Sequence, residues 1–231
     1  MIRENLETVE KNIADACKRA GRDRKDVTLI AVSKTKPVSD LMEAYDAGIK
    51  VFGENKVQEL VDKIGQMPED VHWHMIGHLQ RNKAKYIVGR VDLIHSVDNE
   101  ELVQEINKRA ENAGVVQDIL IEVNIADEDT KYGITAERAE EFYVNISKLP
   151  YVNVRGLMCV APFVENAESN RQYFVKLRKI YVDITNKLMH NSRVDVMSMG
   201  MTGDYQVAIE EGATMVRIGT GIFGARNYNT T

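Results

Sequence analysis

The 231-residue sequence holds only two cysteines and four prolines, and no run of apolar residues approaches 18. Each scarcity excludes a class of protein. Cys17 and Cys159 stand far apart without C-x-x-C spacing, which removes a disulfide scaffold and a zinc ribbon. A membrane-spanning helix needs about 20 consecutive apolar residues, so none is expected. The opening segment, MIRENLETVEKNIADACKRAGR, carries too much charge for the apolar stretch of a secretory signal. Few prolines, no Gly/Ser linker and no block of like charge leave no internal boundary, so a single domain over 1–231 is expected. The net charge of −5 gives no general attraction to phosphate backbones. A cytoplasmic protein that binds neither nucleic acid nor membrane is the expectation.

What is present is alternation. Apolar residues at Ile2, Leu6, Val9, Ile13, Ala16 and Ala20 fall on one face of a helix, with Gly21 as its stop. Eight short strand candidates follow, at Val27–Val32, Val51–Phe52, His72–Ile76, Leu93–Ile94, Ile119–Val123, Val154–Met158, Val194–Met197 and Met215–Ile218. Helical patterns stand between them, near Leu41–Ala47, from about Asn55, from about Arg81, over Glu100–Ala113, from about Ala136, over Ser169–Met189 and near Tyr205–Glu211. Asp98 and Glu101 have the spacing of a capping box for the Glu100 helix. Such alternation implies a parallel α/β fold, and the number of units fits a compact (β/α)8 barrel with an extra N-terminal helix. A doubly wound open sheet is the rival.

Gly219-Thr220-Gly221-Ile222-Phe223-Gly224 matches the G-x-G-x-x-G dinucleotide pattern, but too little chain follows for the helix, strand and acidic residue that the fingerprint requires. Glycines of this kind also let a backbone approach an anion closely. A second loop, Ser198-Met199-Gly200-Met201-Thr202-Gly203, follows the preceding strand, and in barrels the loops after strands seven and eight often bind phosphate. At the other end of the barrel order, Leu29-Ile30-Ala31-Val32-Ser33-Lys34 brings a lysine to the mouth, where an apolar surround frees an amine to attack a carbonyl. Strand parity does not separate Lys34 from Lys36. A Schiff-base lysine facing a phosphate cradle suggests pyridoxal phosphate (PLP) or a sugar-phosphate aldolase. Arg217, two residues before the glycine loop, favours PLP: a permanent cation facing the pyridine nitrogen keeps it unprotonated and weakens the ring as an electron sink.

At these residues the sequence resembles the YggS/PROSC family of PLP-binding, PLP homeostasis proteins. The blocks are AVSKTKP (Ala31–Pro37), FGENKVQE (Phe52–Glu59), HWHMIGHLQRNK (His72–Lys83), EVNIADEDTKYGI (Glu122–Ile134), RGLMCVAP (Arg155–Pro162) and SMGMTGDYQVAIEEGATMVRIGTGIFGAR (Ser198–Arg226). The resemblance implies the barrel of the alanine racemase N-terminal domain, without a second β domain. It implies that Lys34 carries PLP as a Schiff base and that Arg217 faces the pyridine nitrogen. Ser198, Gly200, Gly219 and Thr220 bind the phosphate, Asn55 and Met158 lie near the ring, and His78 and Asn82 shape the mouth. Met75, Thr202 and Tyr132 depart from the common family residues and leave the lysine and cradle intact.

The function so implied is to hold PLP and buffer or deliver it to PLP-dependent apo-enzymes, as a monomer and not as an enzyme. The alternative is an amino-acid racemase or decarboxylase. A racemase needs acid–base groups on two faces of its substrate, and the sequence offers only Lys34. An aldolase-type barrel without cofactor is a third class. Other signals have plainer readings. His72 and His74 lack a third metal ligand and read as barrel-lining; Cys17 and Cys159 read as buried apolar thiols. Arg81, Lys83 and Lys85 read as a solvated helix face, and Lys131 as an exposed-loop contact for an anion or aldehyde. The sequons at Asn145 and Asn229 have no role in the cytosol.

Overall fold

The computed structural model describes residues 1–128, 130–187 and 193–225. All eight expected strands form: β1 (Thr28–Val32), β2 (Val51–Glu54), β3 (His72–Met75), β4 (Leu93–Val97), β5 (Gln117–Asn124), β7 (Val152–Cys159), β8 (Val196–Met201) and β9 (Met215–Ile218). A two-residue β6 (Ile134–Thr135), too short to register as a pattern, pairs with β5. Every pairing is parallel, and the sheet closes on itself because β1 pairs with β9 and β4 pairs with β5. An open doubly wound sheet would leave two edges; this eight-stranded ring has none, so the fold is a (β/α)8 barrel.

The helices are α1 (Ile2–Arg19), α2 (Val38–Asp46), α3 (Val57–Ile64), α4 (Glu100–Ala113), α5 (Ala139–Ile146), α6 (Arg171–Asn186), α7 (Tyr205–Glu210) and α8 (Thr220–Phe223). Between β3 and β4 the expected helix is a 3-10 helix, Arg81–Tyr86. Ala84 is its only buried residue, too little apolar face to support a longer α-helix. Ala136–Arg138 is likewise a 3-10 turn leading into α5. The cap of α4 is Asn99, whose side chain accepts from the Leu102 amide, rather than the Asp98 box expected from spacing. The last expected residues of the α6 segment, up to Met189, lie outside the described residues, as do Arg226 and the Asn229 sequon.

α1 ends as its glycine implies. Gly21 has φ +66°, its amide donates to Lys18 O and that of Arg22 to Cys17 O, the paired bonds of a Schellman motif. The buried stripe of α1, Ile2, Leu6, Val9, Ile13, Ala16 and Cys17, packs into the outer core of the barrel. Asn5 donates to Ile222 O in α8, and Arg22 donates to Ile209 O and Ala213 O at the end of α7. The N-terminal helix is thereby tied to the last two units of the barrel.

Two apolar layers form. The large one lies between strands and helices and includes Phe52, Trp73, Leu102 and Phe174. The small one, Leu93, Leu120, Met158 and Val196, fills the inside of the barrel. On β1, Leu29 and Ala31 belong to the outer layer, so alternation turns Ile30 and Val32 inward. Polar side chains sit inside the barrel and at the carboxyl ends of its strands, where barrel sites are built.

Candidate functional site at the barrel mouth

Strand register brings Lys34 between two other candidates. Val32 stands opposite Gly53, so Lys34 and Asn55 each follow the carboxyl end of one of two paired strands. Ala31 stands opposite Ile218, so the Gly219–Thr220 loop follows the strand paired on the other side. The approach is close: a Cβ on Gly219 would come within 3.4 Å of Val32 O. Lys34 lies in a turn whose Lys36 amide donates to Ser33 O at 3.1 Å. Thr35 has φ +63° and Lys34 does not share that region, so this is a type II turn with Lys34 second and Thr35 third. A β-branched residue in that third place carries about 1–3 kcal/mol of backbone strain. Lys36 Nζ donates to Phe223 O at 2.8 Å, at the end of α8. Lys36 is thus taken up by α8, and Lys34, half-buried at the carboxyl end of β1, remains the candidate for the mouth.

Below the mouth, Arg217 is 4% exposed on β9. Its Nη2 donates to Cys159 O at 2.7 Å and its Nη1 to Ser198 Oγ at 2.5 Å. Ser198 Oγ lies 3.0 Å from His95 Nδ1, and His95 Nε2 lies 2.9 Å from His74 Nδ1. Arginine only donates, so the assignment that satisfies the row has Ser198 Oγ accept from it and donate its hydrogen to His95, which donates in turn to His74. Burial holds both rings neutral, with His74 lowered to about 4 and His95 well below its ordinary value. Burial also pulls Arg217 below the usual guanidinium value, opposed by nearby Cys159, Glu122 and Asp204.

This row occupies the Ser198 hydroxyl, because Ser198 lies within β8 and faces the barrel interior rather than the loop. The hydroxyl beside the glycine loop belongs to Thr202, whose Oγ1 is 3.4 Å from the Gly221 amide. Sequence reasoning chose Ser198 from the same loop, although the second hydroxyl was visible there. Gly200 has φ +90°, and a Cβ on it would fall 2.6 Å from Ala208 Cβ, so α7 demands this glycine. Met158 is fully buried, opposite Glu122 in register, and belongs to the interior apolar layer.

Glu122 is the residue that sequence reasoning missed. It is 8% exposed on β5, and its Oε2 has no partner among the described residues. Burial, reinforced by Asp98 and opposed by Arg217, raises its carboxyl to about 7. The available signal was a lone acid at the inward parity of an otherwise apolar strand, Ile119–Val123. With Asn124, Lys131 and Tyr132 it lines a cavity of about 190 Å³. Lys131 is half-buried rather than exposed and pairs with Glu128 at 2.7 Å. Tyr132 stacks on His78 with ring centres 3.7 Å apart. Asn82 is exposed on the 3-10 helix, away from these contacts.

Asn55 Oδ1 is buried without a hydrogen-bond partner among the described residues. The two histidines of β3 share a face but part company along it: His74 is buried inside the barrel, whereas His72, at the amino end of the strand, is exposed and pairs with Asp92 at 2.9 Å. No group of three or more His, Cys, Asp or Glu able to hold a metal occurs among the described residues. Both cysteines are buried, and burial pushes the Cys159 thiol up to about 12. No helix among the described residues is long and apolar enough to cross a membrane.

Residues 5–227 match the family described as the alanine racemase N-terminal domain. A pyridoxal phosphate homeostasis protein of Aquifex aeolicus is 46% identical over 226 residues, covering 97% of this chain and 98% of that protein. The solved structure of PipY from Synechococcus elongatus with PLP bound superposes with a TM-score of 0.83 at 32% identity, covering 97% of this chain and all of PipY. Alanine racemase of Clostridium difficile shares the fold, with a TM-score of 0.70 at 16% identity over 99% of this chain and 57% of the racemase. The chain thus belongs to the pyridoxal phosphate homeostasis proteins, a family built on the alanine racemase N-terminal domain.

Proposed function

We propose that this protein binds PLP reversibly through the Lys34 amine and buffers or delivers it to apo-enzymes. The observation that carries this reading is that Lys34, an unpartnered buried Asn55 oxygen and the glycine loop packed on Val32 follow the carboxyl ends of three adjacent strands. The residues fit the group. Lys34 supplies an amine for the aldehyde. The Gly219–Thr220 amides and the Thr202 hydroxyl suit a phosphate, and Arg217, steadied by Ser198 and Cys159 O, suits an unprotonated ring nitrogen. When bound, PLP supplies an aldehyde that condenses with primary amines and a ring that withdraws electrons. A permanent cation at the ring nitrogen restrains that withdrawal and suits holding the group over transforming a substrate on it. The protein acts in the cytoplasm as a one-domain monomer, and apo-enzymes receive PLP from it.

The test is the visible absorption of wild type and Lys34→Ala with added PLP, followed by borohydride reduction and peptide mapping. A yellow wild type with its adduct on Lys34, lost in the variant, is expected. A colourless wild type without adduct would overturn the reading. The racemase or decarboxylase alternative gains one observation from Glu122, a buried carboxyl that titrates near neutrality and so suits proton transfer. Amino-acid turnover at enzyme-like rates by the PLP-loaded protein would favour it over a carrier.

A further inference from the structure

We propose that Glu59 and Lys63 of α3 are positioning residues that aim Lys34, by holding the turn around it in a conformation its own sequence disfavours. The inference rests on Lys34 being the PLP attachment point. Lys63 is buried, and its ammonium reaches three acceptors: Ser33 O at 2.9 Å, Glu54 Oε1 at 2.6 Å and Glu59 Oε2 at 3.4 Å. The Thr35 amide donates to the same Glu59 Oε2 at 2.8 Å. Ser33 Oγ donates to Glu54 Oε1 at 2.7 Å, and the Ser33 amide donates to Gly53 O. The peptide groups on both sides of Lys34 are therefore tied to α3, which fixes the backbone from which its side chain starts.

The need for such ties is local. A type II turn takes glycine in its third place, where φ is positive, and this turn has Thr35 at φ +63°. Its geometry is imposed from outside by the Glu59 carboxylate on one peptide and the Lys63 ammonium on the other. A buried ion pair is a weak source of stability compared with apolar packing of the same volume. Placing Glu54 and Lys63 between β2 and α3 is accounted for by what they hold. It also joins two sequence blocks, AVSKTKP and FGENKVQE, that strand pairing alone leaves as neighbours.

The experiment compares PLP affinity, by absorbance titration, in wild type, Glu59→Ala, Thr35→Gly and the double variant, with thermal melts as the folding check. Glu59→Ala is expected to bind PLP about tenfold more weakly, the scale of one charged hydrogen bond. Thr35→Gly in that background is expected to restore affinity to within about threefold of wild type, because glycine adopts the turn unaided. Unchanged affinity in Glu59→Ala overturns the proposal. So does weakened affinity that Thr35→Gly fails to restore, since a role limited to docking α3 is indifferent to the turn residue. Should Glu59→Ala fail to fold, Glu59→Gln serves: it keeps an acceptor for the Thr35 amide, and the proposal expects affinity within about threefold of wild type. A larger loss overturns it. Adduct mapping on wild type separates the two readings: no adduct on Lys34 defeats the PLP reading, whereas an adduct with unaffected variants defeats only this one.

Discussion

Replacing Glu122 by glutamine removes a carboxyl that the barrel prefers to keep protonated. Its pKa is about 7 in the folded protein against 4.5 for an ordinary glutamate, because burial and the Asp98 charge disfavour the ionised form. The folded state therefore holds this proton more tightly than the unfolded state. Its stabilising effect is fully present below pH 4.5 and is lost as pH rises through about 7. At pH 8 the folded protein bears a buried carboxylate, and the interval between 4.5 and about 7 corresponds to about 3 kcal/mol. The glutamine side chain carries no charge at any pH. The Glu122→Gln variant is expected to match wild type near pH 4.5 and to exceed it by about 3 kcal/mol at pH 8, a Tm gain of roughly 6–12 °C for a chain this size. His74 acts with the opposite sign: its lowered pKa contributes stability above 6.5 that is lost as pH falls through about 4. Both proteins share that term, so it cancels in the difference. Urea unfolding of the ligand-free proteins from pH 4.5 to 8 provides the readout. A difference that stays constant with pH, or a variant less stable at pH 8, would refute the assignment of Glu122 as an uncompensated buried carboxyl.

Two further outcomes follow from buried contacts. Ser198→Ala leaves Arg217 Nη1 and His95 Nδ1 without their shared hydroxyl, and a loss of about 1–3 kcal/mol is expected by urea titration; no loss would mean the row is not coupled to folding. Ile13→Ala opens a fully buried position on α1 and is expected to cost about 2–5 kcal/mol in the same single transition. A separate early transition would show that α1 unfolds independently of the barrel.

Much of this fold is legible in the sequence. Strand order and fold class could be read because each strand is a short apolar run set off by a helical pattern, and that periodicity is local. The 3-10 segment at Arg81–Tyr86 and the Asn99 cap differ from the local pattern for a physical reason: which turn of backbone tightens, and which side chain reaches an amide, depends on the docking of the neighbours. The resemblance alone singles out Lys34; that Lys36 is taken up by Phe223 O, far along the chain, no local pattern shows. The row from Arg217 through Ser198 and His95 to His74 joins strands separated in sequence, and its members meet only inside the closed ring.

By itself the sequence determined the alternation of strand and helix, the amphipathic first helix with its glycine stop, and the two glycine loops, because these depend on neighbours within a few residues. Only the tertiary structure decided the protonation of Glu122, the partners of Ser198 and the hold on the Lys34 turn. Those depend on the water excluded by ring closure and on charges carried in from distant segments, and no local pattern encodes either.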